Sequence, residues 1–298
     1  MLASIRLIGR PYVVPQIQAG AEQFRQLCIW LSRLSGDTNE TKIGTNSMKT
    51  IKVRALVLRE YEAGESDKRL LLLCKERGRI MVYARGARKP KSKFMAAAQV
   101  FTYADFVLAQ GQGFYSVTQA EVIESFYNLR TDYDVLMAAH LVAEVCERTL
   151  WEGQDSDELL LLALKSLGHL AANADNLPPK QVVCVFLLRF FAFYGVAPQA
   201  DACVICNLPG DEITDGVCFC AEGLVCAEHS LQIQGGKVIR KLSESAVFAL
   251  RFILQSNLAQ SFRFNAYDSV LEELRKVTVL LWGSHFEWEG KVICTNWQ

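Results

Sequence analysis

The hydrophobic period of this chain changes near Tyr127, and the change separates two kinds of secondary structure. Between Ile51 and Ser125, apolar and polar residues alternate, which is typical of half-buried strands. Beyond Tyr127, apolar residues recur every three or four positions, which is typical of amphipathic helices. Strands followed by helices in one chain predict a multidomain α+β protein.

The alternating region predicts five strands with glycine-containing turns and one long connection, residues 86–99. The predicted strands are Ile51–Glu60, Lys68–Lys75, Arg79–Arg85, Val100–Ala109 and Phe114–Ser125. This pattern suits a small closed Greek-key barrel, and a small β-sandwich is the alternative. We therefore expect an OB-type five-stranded β-barrel over residues 48–128.

The second region predicts an α-helical domain over residues 129–298, with a cysteine-rich insert at about 201–230. The predicted helices are Tyr133–Leu150, Asp157–Asn173, Lys180–Tyr194, Ser243–Ser256 and Tyr267–Leu281. The third helix carries a dense aromatic stretch, for which we expect core packing; an apolar groove for a partner peptide is the alternative. These aromatic residues are Phe186, Phe190, Phe191 and Phe193.

Residues 1–47 differ in composition from the rest of the chain. Prolines and glycines interrupt them, and Met48 opens the regular strand pattern. We expect an extension that is disordered or a start-site artefact, with a targeting peptide as the alternative because arginines outnumber acids there. No apolar run in the chain reaches the ~18 residues of a membrane-spanning helix, so no membrane partner is expected.

The insert contains two pairs of metal-binding residues with the spacing of a zinc knuckle. Cys203 and Cys206 are followed, after nineteen residues, by Cys226 and His229. Two such pairs can close a tetrahedral site, and four protein ligands leave no open position, so the pattern predicts structural Zn²⁺. Two alternatives remain: a ligand set that includes Cys218 or Cys220, and thiols without metal.

Charge is distributed unevenly along a chain whose formal net charge is zero. Residues 49–130 carry 15 Lys/Arg against 8 Asp/Glu, whereas residues 131–298 carry 12 against 21. The densest cluster is the long connection of the barrel, with five cations and no acid in residues 85–93. Such clusters bind phosphodiester backbones through charge, and a solvated surface loop is the alternative.

We therefore predict a nucleic-acid site on the barrel. Its candidate cations are Arg77, Arg79, Arg85, Arg88, Lys89, Lys91 and Lys93, and its candidate stacking faces are Tyr83, Phe94 and Tyr103. No P-loop, Gly-x-Ser-x-Gly or His-Glu-x-x-His motif occurs in the sequence. The enzyme class that remains as an alternative is a metalloenzyme, with Glu222 or Glu228 as its acid or base.

Several motifs together resemble the RecO family of bacterial recombination mediator and DNA repair proteins, from Met48 to the C-terminus. They are Ala55-Leu-Val-Leu-Arg59, Glu65-Ser-Asp67-Lys-Arg-Leu-Leu, Lys75-Glu-Arg-Gly78-Arg, Ala84-Arg-Gly-Ala-Arg-Lys89, and Arg189-Phe-Phe-Ala-Phe-Tyr-Gly195-Val-Ala-Pro198 leading into the knuckle. The resemblance implies an OB-fold followed by a helical domain with a zinc knuckle. The family's fourth knuckle ligand is usually Cys, and here the position is His229.

The resemblance also implies a function. RecO-like proteins are not enzymes; they bind single- and double-stranded DNA and anneal complementary strands. With RecR they help load RecA onto DNA coated by single-strand-binding protein, whose acidic tail docks on the helical domain. A bacterial cytoplasmic, nucleoid-associated location follows, and the basic barrel surface maps onto the seven cations named above. The alternative is a zinc-stabilised protein-interaction scaffold without DNA contact.

Overall fold

The structure is a computed structural model that describes residues 49–172, 177–213, 216–233 and 238–286. The predictions for residues 1–47 lie outside these ranges. The described residues all fall within one compact unit. Strands come first and helices follow, as the change of hydrophobic period predicts.

Five strands form a closed barrel in the order β1-β2-β3-β5-β4. They are β1 (Thr50–Ala63), β2 (Asp67–Cys74), β3 (Gly78–Ala84), β4 (Tyr103–Gln110) and β5 (Tyr115–Glu124). The barrel closes through a short parallel pairing of β3 with β5, while all other neighbouring strands are antiparallel. This OB-like topology confirms the predicted barrel and excludes the sandwich.

The segment between β3 and β4, residues 85–102, closes one end of the barrel, and we call it the capping segment. Its apolar residues Ala87, Phe94, Ala97 and Ala98 are buried in the barrel core. The segment consists of consecutive turns, with backbone hydrogen bonds such as that from Ser92 N–H to the Lys89 carbonyl at 2.9 Å. The first half of the capping segment, residues 85–93, carries the cations, and we call it the basic loop.

The second half of the chain is helical, as predicted. After a 3₁₀ turn (Tyr127–Arg130) come α1 (Tyr133–Thr149), α2 (Asp157–Ala172), α3 (Pro179–Phe193), the short α4 (Ala227–Ser230), α5 (Glu244–Gln255) and α6 (Asp268–His285). A small antiparallel sheet, in the order β7-β6-β8, was not predicted in this form. Its strands are β6 (Val217–Cys220), β7 (Gly223–Cys226) and β8 (Ile239–Leu242).

Helix α3 lies at the centre of the helical core, which explains its aromatic sequence. Phe186, Phe190 and Phe191 are fully buried, and Phe190 stacks with Trp282 of α6 at 5.8 Å between ring centroids. Phe193 is only partly buried but packs against the same core. The prediction of core packing is confirmed, and α3 itself is not an open groove.

One outer face of the barrel is covered by the helical domain. Leu56, Leu58, Leu71 and Leu73, which point outward from β1 and β2, belong to the helical core. The β2–β3 turn is also tied to the α1–α2 connection, where Ser156 Oγ donates to the Cys74 carbonyl at 2.6 Å. The outer faces of β3 and β5 contribute no side chain to that core.

Candidate nucleic-acid and metal sites

The basic loop begins at a backbone position fixed by two anchors. The Asp67 carboxylate at the start of β2 accepts a hydrogen bond from Gly86 N–H at 2.7 Å. The Arg88 N–H donates to the Ser66 carbonyl at 2.9 Å. Gly86 has φ +67°, a left-handed conformation that glycine adopts without steric cost. The loop is therefore held against the β1–β2 turn.

The cations of the basic loop differ in what they contact. The side chains of Arg85, Lys89 and Lys91 are exposed and make no hydrogen bond or ion pair within the part of the chain that the structure describes. Arg88 donates to the Gly64 carbonyl at 3.2 Å and pairs with Glu62 at 3.1 Å. Three uncompensated charges within seven residues make this end of the barrel attractive to phosphate groups.

The last cation of the loop, Lys93, is tied to strand β5. Its Nζ donates to the Thr118 carbonyl at 3.0 Å and lies 4.9 Å from the centre of the Phe94 ring. The loop therefore runs from the β1–β2 turn to β5.

The structure does not bring Arg77 and Arg79 to the basic loop. Both lie at the opposite end of β3, which separates them from Arg85 by about 20 Å of extended chain. The Arg79 guanidinium donates to the Glu147 carbonyl at the end of α1, so it joins the barrel to the helical domain. Arg77 is exposed, but two exposed acids lie close to it. Glu76 precedes it in the chain, and Glu152 pairs with Gly78 in an isolated β-bridge.

Two of the three predicted stacking faces are unsuitable. Phe94 is 7% exposed inside the barrel core, and Tyr103 packs against the helical core. Tyr83 does face outward, and its ring meets Phe114 edge-on at 5.9 Å between centroids. Phe114 is a further surface aromatic that the sequence does not indicate, because its distance from Tyr83 along the chain hides their contact. Only the pairing of β3 with β5 brings them together.

Four side chains of the cysteine-rich insert converge on one point. The ligand atoms of Cys203, Cys206, Cys226 and His229 all lie within 4.8 Å of one another. Cys226 Sγ lies 3.9 Å from Cys203 Sγ and 3.0 Å from His229 Nδ1. Three thiols and one imidazole in this arrangement can hold a metal ion.

The cluster is built by elements on either side of it. Cys226 ends β7 and His229 lies on α4, while Cys203 and Cys206 lie in the loop that precedes β6. Cys218 and Cys220 on β6 are buried behind the cluster but lie outside the group of four. The arrangement thus matches the ligand set predicted from the spacing and not the swapped one.

The thiols of the cluster differ in acidity. Burial alone raises the pKa of the Cys203 thiol, but backbone N–H donors of Cys206, Cys226 and Ile205 outweigh it and lower this pKa to about 6. Burial and the neighbouring Cys203 thiol raise the pKa of Cys226. Of these two thiols, Cys203 is therefore the one that more readily supplies a thiolate ligand.

The helical domain carries a cavity of about 690 Å³ with basic groups at its mouth. Lys165 on α2 and Arg263 in the α5–α6 connection are exposed, and both line the cavity. The floor is partly apolar, because Phe262 is buried there and stacks on the His169 ring at 4.5 Å between centroids. This cavity combines positive charge with an aromatic wall.

No helix among residues 49–172, 177–213, 216–233 and 238–286 has the length and hydropathy of a membrane span. Comparison with known proteins bears on the remaining question of family. A family model described as Recombination protein O N terminal matches residues 48–126. A second, described as Recombination protein O C terminal, matches residues 130–290.

Curated relatives agree with both family models. The DNA repair protein RecO of Acetivibrio thermocellus is 34% identical over 233 residues, covering 78% of this chain and 90% of the relative. The protein of the same name from Alkaliphilus metalliredigens is 35% identical over 230 residues, covering 76% and 90%. That of Desulfitobacterium hafniense strain DCB-2 is 36% identical over 226 residues, covering 75% and 81%. This chain belongs to the RecO family of DNA repair proteins.

Proposed function

We propose that this protein is a DNA-binding recombination mediator in bacterial DNA repair, and that it acts without making or breaking covalent bonds. It binds single- and double-stranded DNA, anneals complementary strands, and works with RecR to help load RecA onto DNA coated by single-strand-binding protein. The observation that carries the proposal is the anchored basic loop, in which the charged groups of Arg85, Lys89 and Lys91 have no partner among the described residues. A cytoplasmic, nucleoid-associated location goes with this function.

The proposed mechanism is electrostatic. Cations on one end of the barrel neutralise phosphates and displace condensed counterions, which contributes affinity regardless of base sequence. The same neutralisation lowers the repulsion between two strands that opposes their annealing. The helical half is acidic overall, so it is available to protein partners and does not compete for DNA.

A salt series tests the DNA site. The logarithm of affinity for a labelled single strand should fall with the logarithm of salt concentration, by about 0.7 per neutralised phosphate. The double variant Lys89→Ala/Lys91→Ala should reduce this slope by about 1.4. Arg77→Ala/Lys276→Ala removes the same charge from exposed positions elsewhere and is the matched control. An equal slope in both variants would remove the basic loop from the DNA site.

The alternative function, a protein-interaction scaffold, makes the opposite prediction. A scaffold without DNA contact would show no salt-dependent retention of either single- or double-stranded DNA. Annealing of two complementary labelled strands, measured on the same preparation, separates a mediator from a protein that merely binds DNA.

The metal in the proposal is structural Zn²⁺, held by Cys203, Cys206, Cys226 and His229. The 3.9 Å between the Cys203 and Cys226 sulfurs is close to the ~3.8 Å edge of a tetrahedron with zinc–sulfur bonds of about 2.3 Å. Four protein ligands leave no position for a reacting water, so zinc would connect the loop at Cys203 to β7 and α4. Native mass spectrometry should find one zinc per chain.

The basic cavity of the helical domain is the proposed dock for the acidic, apolar-ended tail of single-strand-binding protein. Lys165 and Arg263 would pair with its carboxylates, and the partly exposed Leu177 and Phe264, which line the same cavity, would receive its apolar end. A fluorescent peptide with the acidic tail should bind wild type, and Lys165→Glu/Arg263→Glu should abolish binding. Unchanged binding by this variant would place the dock elsewhere.

A further inference from the structure

We propose that Tyr83 and Phe114 form a stacking site for unpaired nucleobases, beside the phosphate-binding basic loop. This inference rests on the proposed DNA-binding function and adds to it a chemical class of ligand, the exposed face of a base. It also assigns to this barrel a preference for single strands over duplex, which phosphate contacts alone cannot supply.

The position of the two rings supports a surface role. Tyr83 points outward from β3, between the buried Val82 and Ala84, and Phe114 lies at the end of the β4–β5 hairpin. Their rings meet at 81° with 5.9 Å between centroids. Neither ring belongs to a core cluster, and Phe114 is 41% exposed. Because Phe94 already closes the barrel core, the pair is not needed to close it.

The Phe114 ring is held in place by its own hairpin. Gly111 N–H donates to the Phe114 carbonyl at 2.8 Å, and the ring folds back over Gly111. A Cβ at position 111 would lie 2.8 Å from the nearest ring atom, so glycine is what permits this position of the ring. A surface aromatic with a fixed orientation can stack on a base without first losing conformational freedom.

Cations flank the pair on the same side of the barrel. Arg69 lies directly opposite Tyr83 on β2, with its guanidinium over the Tyr61 ring of β1, and Arg85 follows Tyr83 by two residues. Lys93 is held to Thr118, two residues beyond Ser116, the partner of Tyr83 on β5. Aromatic faces between cations are the arrangement by which proteins bind single strands, with charge on the backbone and stacking on the bases.

Only unpaired bases can use such a site. Bases within a duplex stack on their neighbours and offer no free face without being extruded, whereas phosphates are presented by both forms. The pair and the basic loop therefore have separable effects. Removing an aromatic ring should weaken single-strand binding, and removing cations should weaken binding to both forms and flatten the salt dependence.

Titration of single and double strands of equal length tests the inference. In Phe114→Leu and in Tyr83→Leu, affinity for the single strand should fall about tenfold, with duplex affinity and salt slope unchanged. Gly111→Ala should also weaken single-strand binding, because the added Cβ displaces the Phe114 ring without removing it. Met81→Ala, which removes an exposed apolar side chain from the same strand, is the control and should bind like wild type.

A spectroscopic readout separates stacking from a general loss of structure. A single strand that carries 2-aminopurine should lose fluorescence on binding wild type, and Phe114→Leu should remove part of this quenching. If Phe114→Leu and Tyr83→Leu bind both strand forms like wild type, while Lys89→Ala/Lys91→Ala lowers the salt slope, the stacking inference is wrong and the proposed function stands. If wild type itself retains no DNA, both are wrong.

Discussion

The Asp67 carboxylate accepts a hydrogen bond from the backbone N–H of Gly86 at 2.7 Å and so connects the start of β2 to the start of the basic loop. This places a negative charge beside the cations that bind phosphate in the proposed function. The unfavourable charge of Asp67 is offset by its anchoring of the loop. An anchored backbone presents Lys89 and Lys91 without the entropy cost of fixing a mobile loop on binding. Asp67 would be a positioning residue.

Substitution of Asp67 separates its charge from its hydrogen bond. Asp67→Asn keeps an acceptor oxygen and removes the charge, so it should bind single strands at least as tightly as wild type. Asp67→Ala removes both, and it should bind several-fold more weakly than Asp67→Asn because the loop loses its anchor. Equal affinities of the two variants for a labelled strand, at one fixed salt concentration, would show that the anchor does not matter.

Metal removal should destabilise the helical half. Because metal binding is coupled to folding, incubation with a chelator should lower the thermal unfolding midpoint, and added Zn²⁺ should restore it. Cys226→Ser should lose the metal, whereas His229→Cys, which supplies another accepted ligand, should retain it. Metal content and unfolding midpoint are measured on each preparation.

Cys218→Ser is the control for the metal experiment. This thiol is buried beside the cluster but lies outside the four ligand side chains, so the variant should retain one zinc per chain. Loss of zinc in Cys218→Ser together with retention in Cys226→Ser would contradict the proposed ligand set.

Much of this architecture was predictable because it depends on local patterns. Alternation located all five barrel strands, and helical spacing located the longer helices to within a few residues. The ligand spacing was equally informative, because a single turn brings together the two ligands of each short pair. The convergence of Cys203 and Cys226 therefore follows from spacing that is visible in the sequence.

What the sequence did not reveal depends on contacts between distant segments. The charge of Arg79 predicts a place on the basic surface, but its strand carries it to the end of α1, where it donates to the Glu147 carbonyl. The five cations that precede Phe94 predict a surface position for its ring, but the capping segment turns it into the barrel. The β6–β8 strands have four residues each, which is too short for a period to be recognised.

A single glycine fixes the junction of the barrel with the helical domain. A Cβ at Gly78 would lie 2.1 Å from the Trp151 carbonyl oxygen, and its φ of +60° is itself strained for other residues. Gly78→Ala should therefore lower the free energy of unfolding by clearly more than the ~1 kcal/mol expected from backbone strain alone. Gly64→Ala, with φ +67° and open space around it, isolates that strain. If urea unfolding shows similar losses of stability in Gly78→Ala and Gly64→Ala, the backbone around Trp151 accommodates the added Cβ at little cost.

Arg189 occupies the middle of the most apolar helix, and its contacts explain why. From α3 its Nη1 donates to three carbonyls at the end of α5: Ile253 at 3.3 Å, Leu254 at 3.1 Å and Ser256 at 2.9 Å. The last carbonyls of a helix have no partner within it, and together they carry partial negative charge. The two N–H groups of this Nη1 are thus shared among the three carbonyls and join two core helices.

Arg189→Met keeps the length of the side chain but leaves these carbonyls without their donor. We expect the free energy of unfolding to fall by about 2–3 kcal/mol, the cost of losing hydrogen bonds from a charged group, with Arg189→Lys recovering part of it. Arg54→Met removes an exposed arginine from its pair with Asp105 and should cost much less, because water replaces that contact. Urea unfolding measures all three variants. If Arg189→Met unfolds at the same urea concentration as Arg54→Met, the end of α5 is stabilised by apolar packing alone and not by the guanidinium.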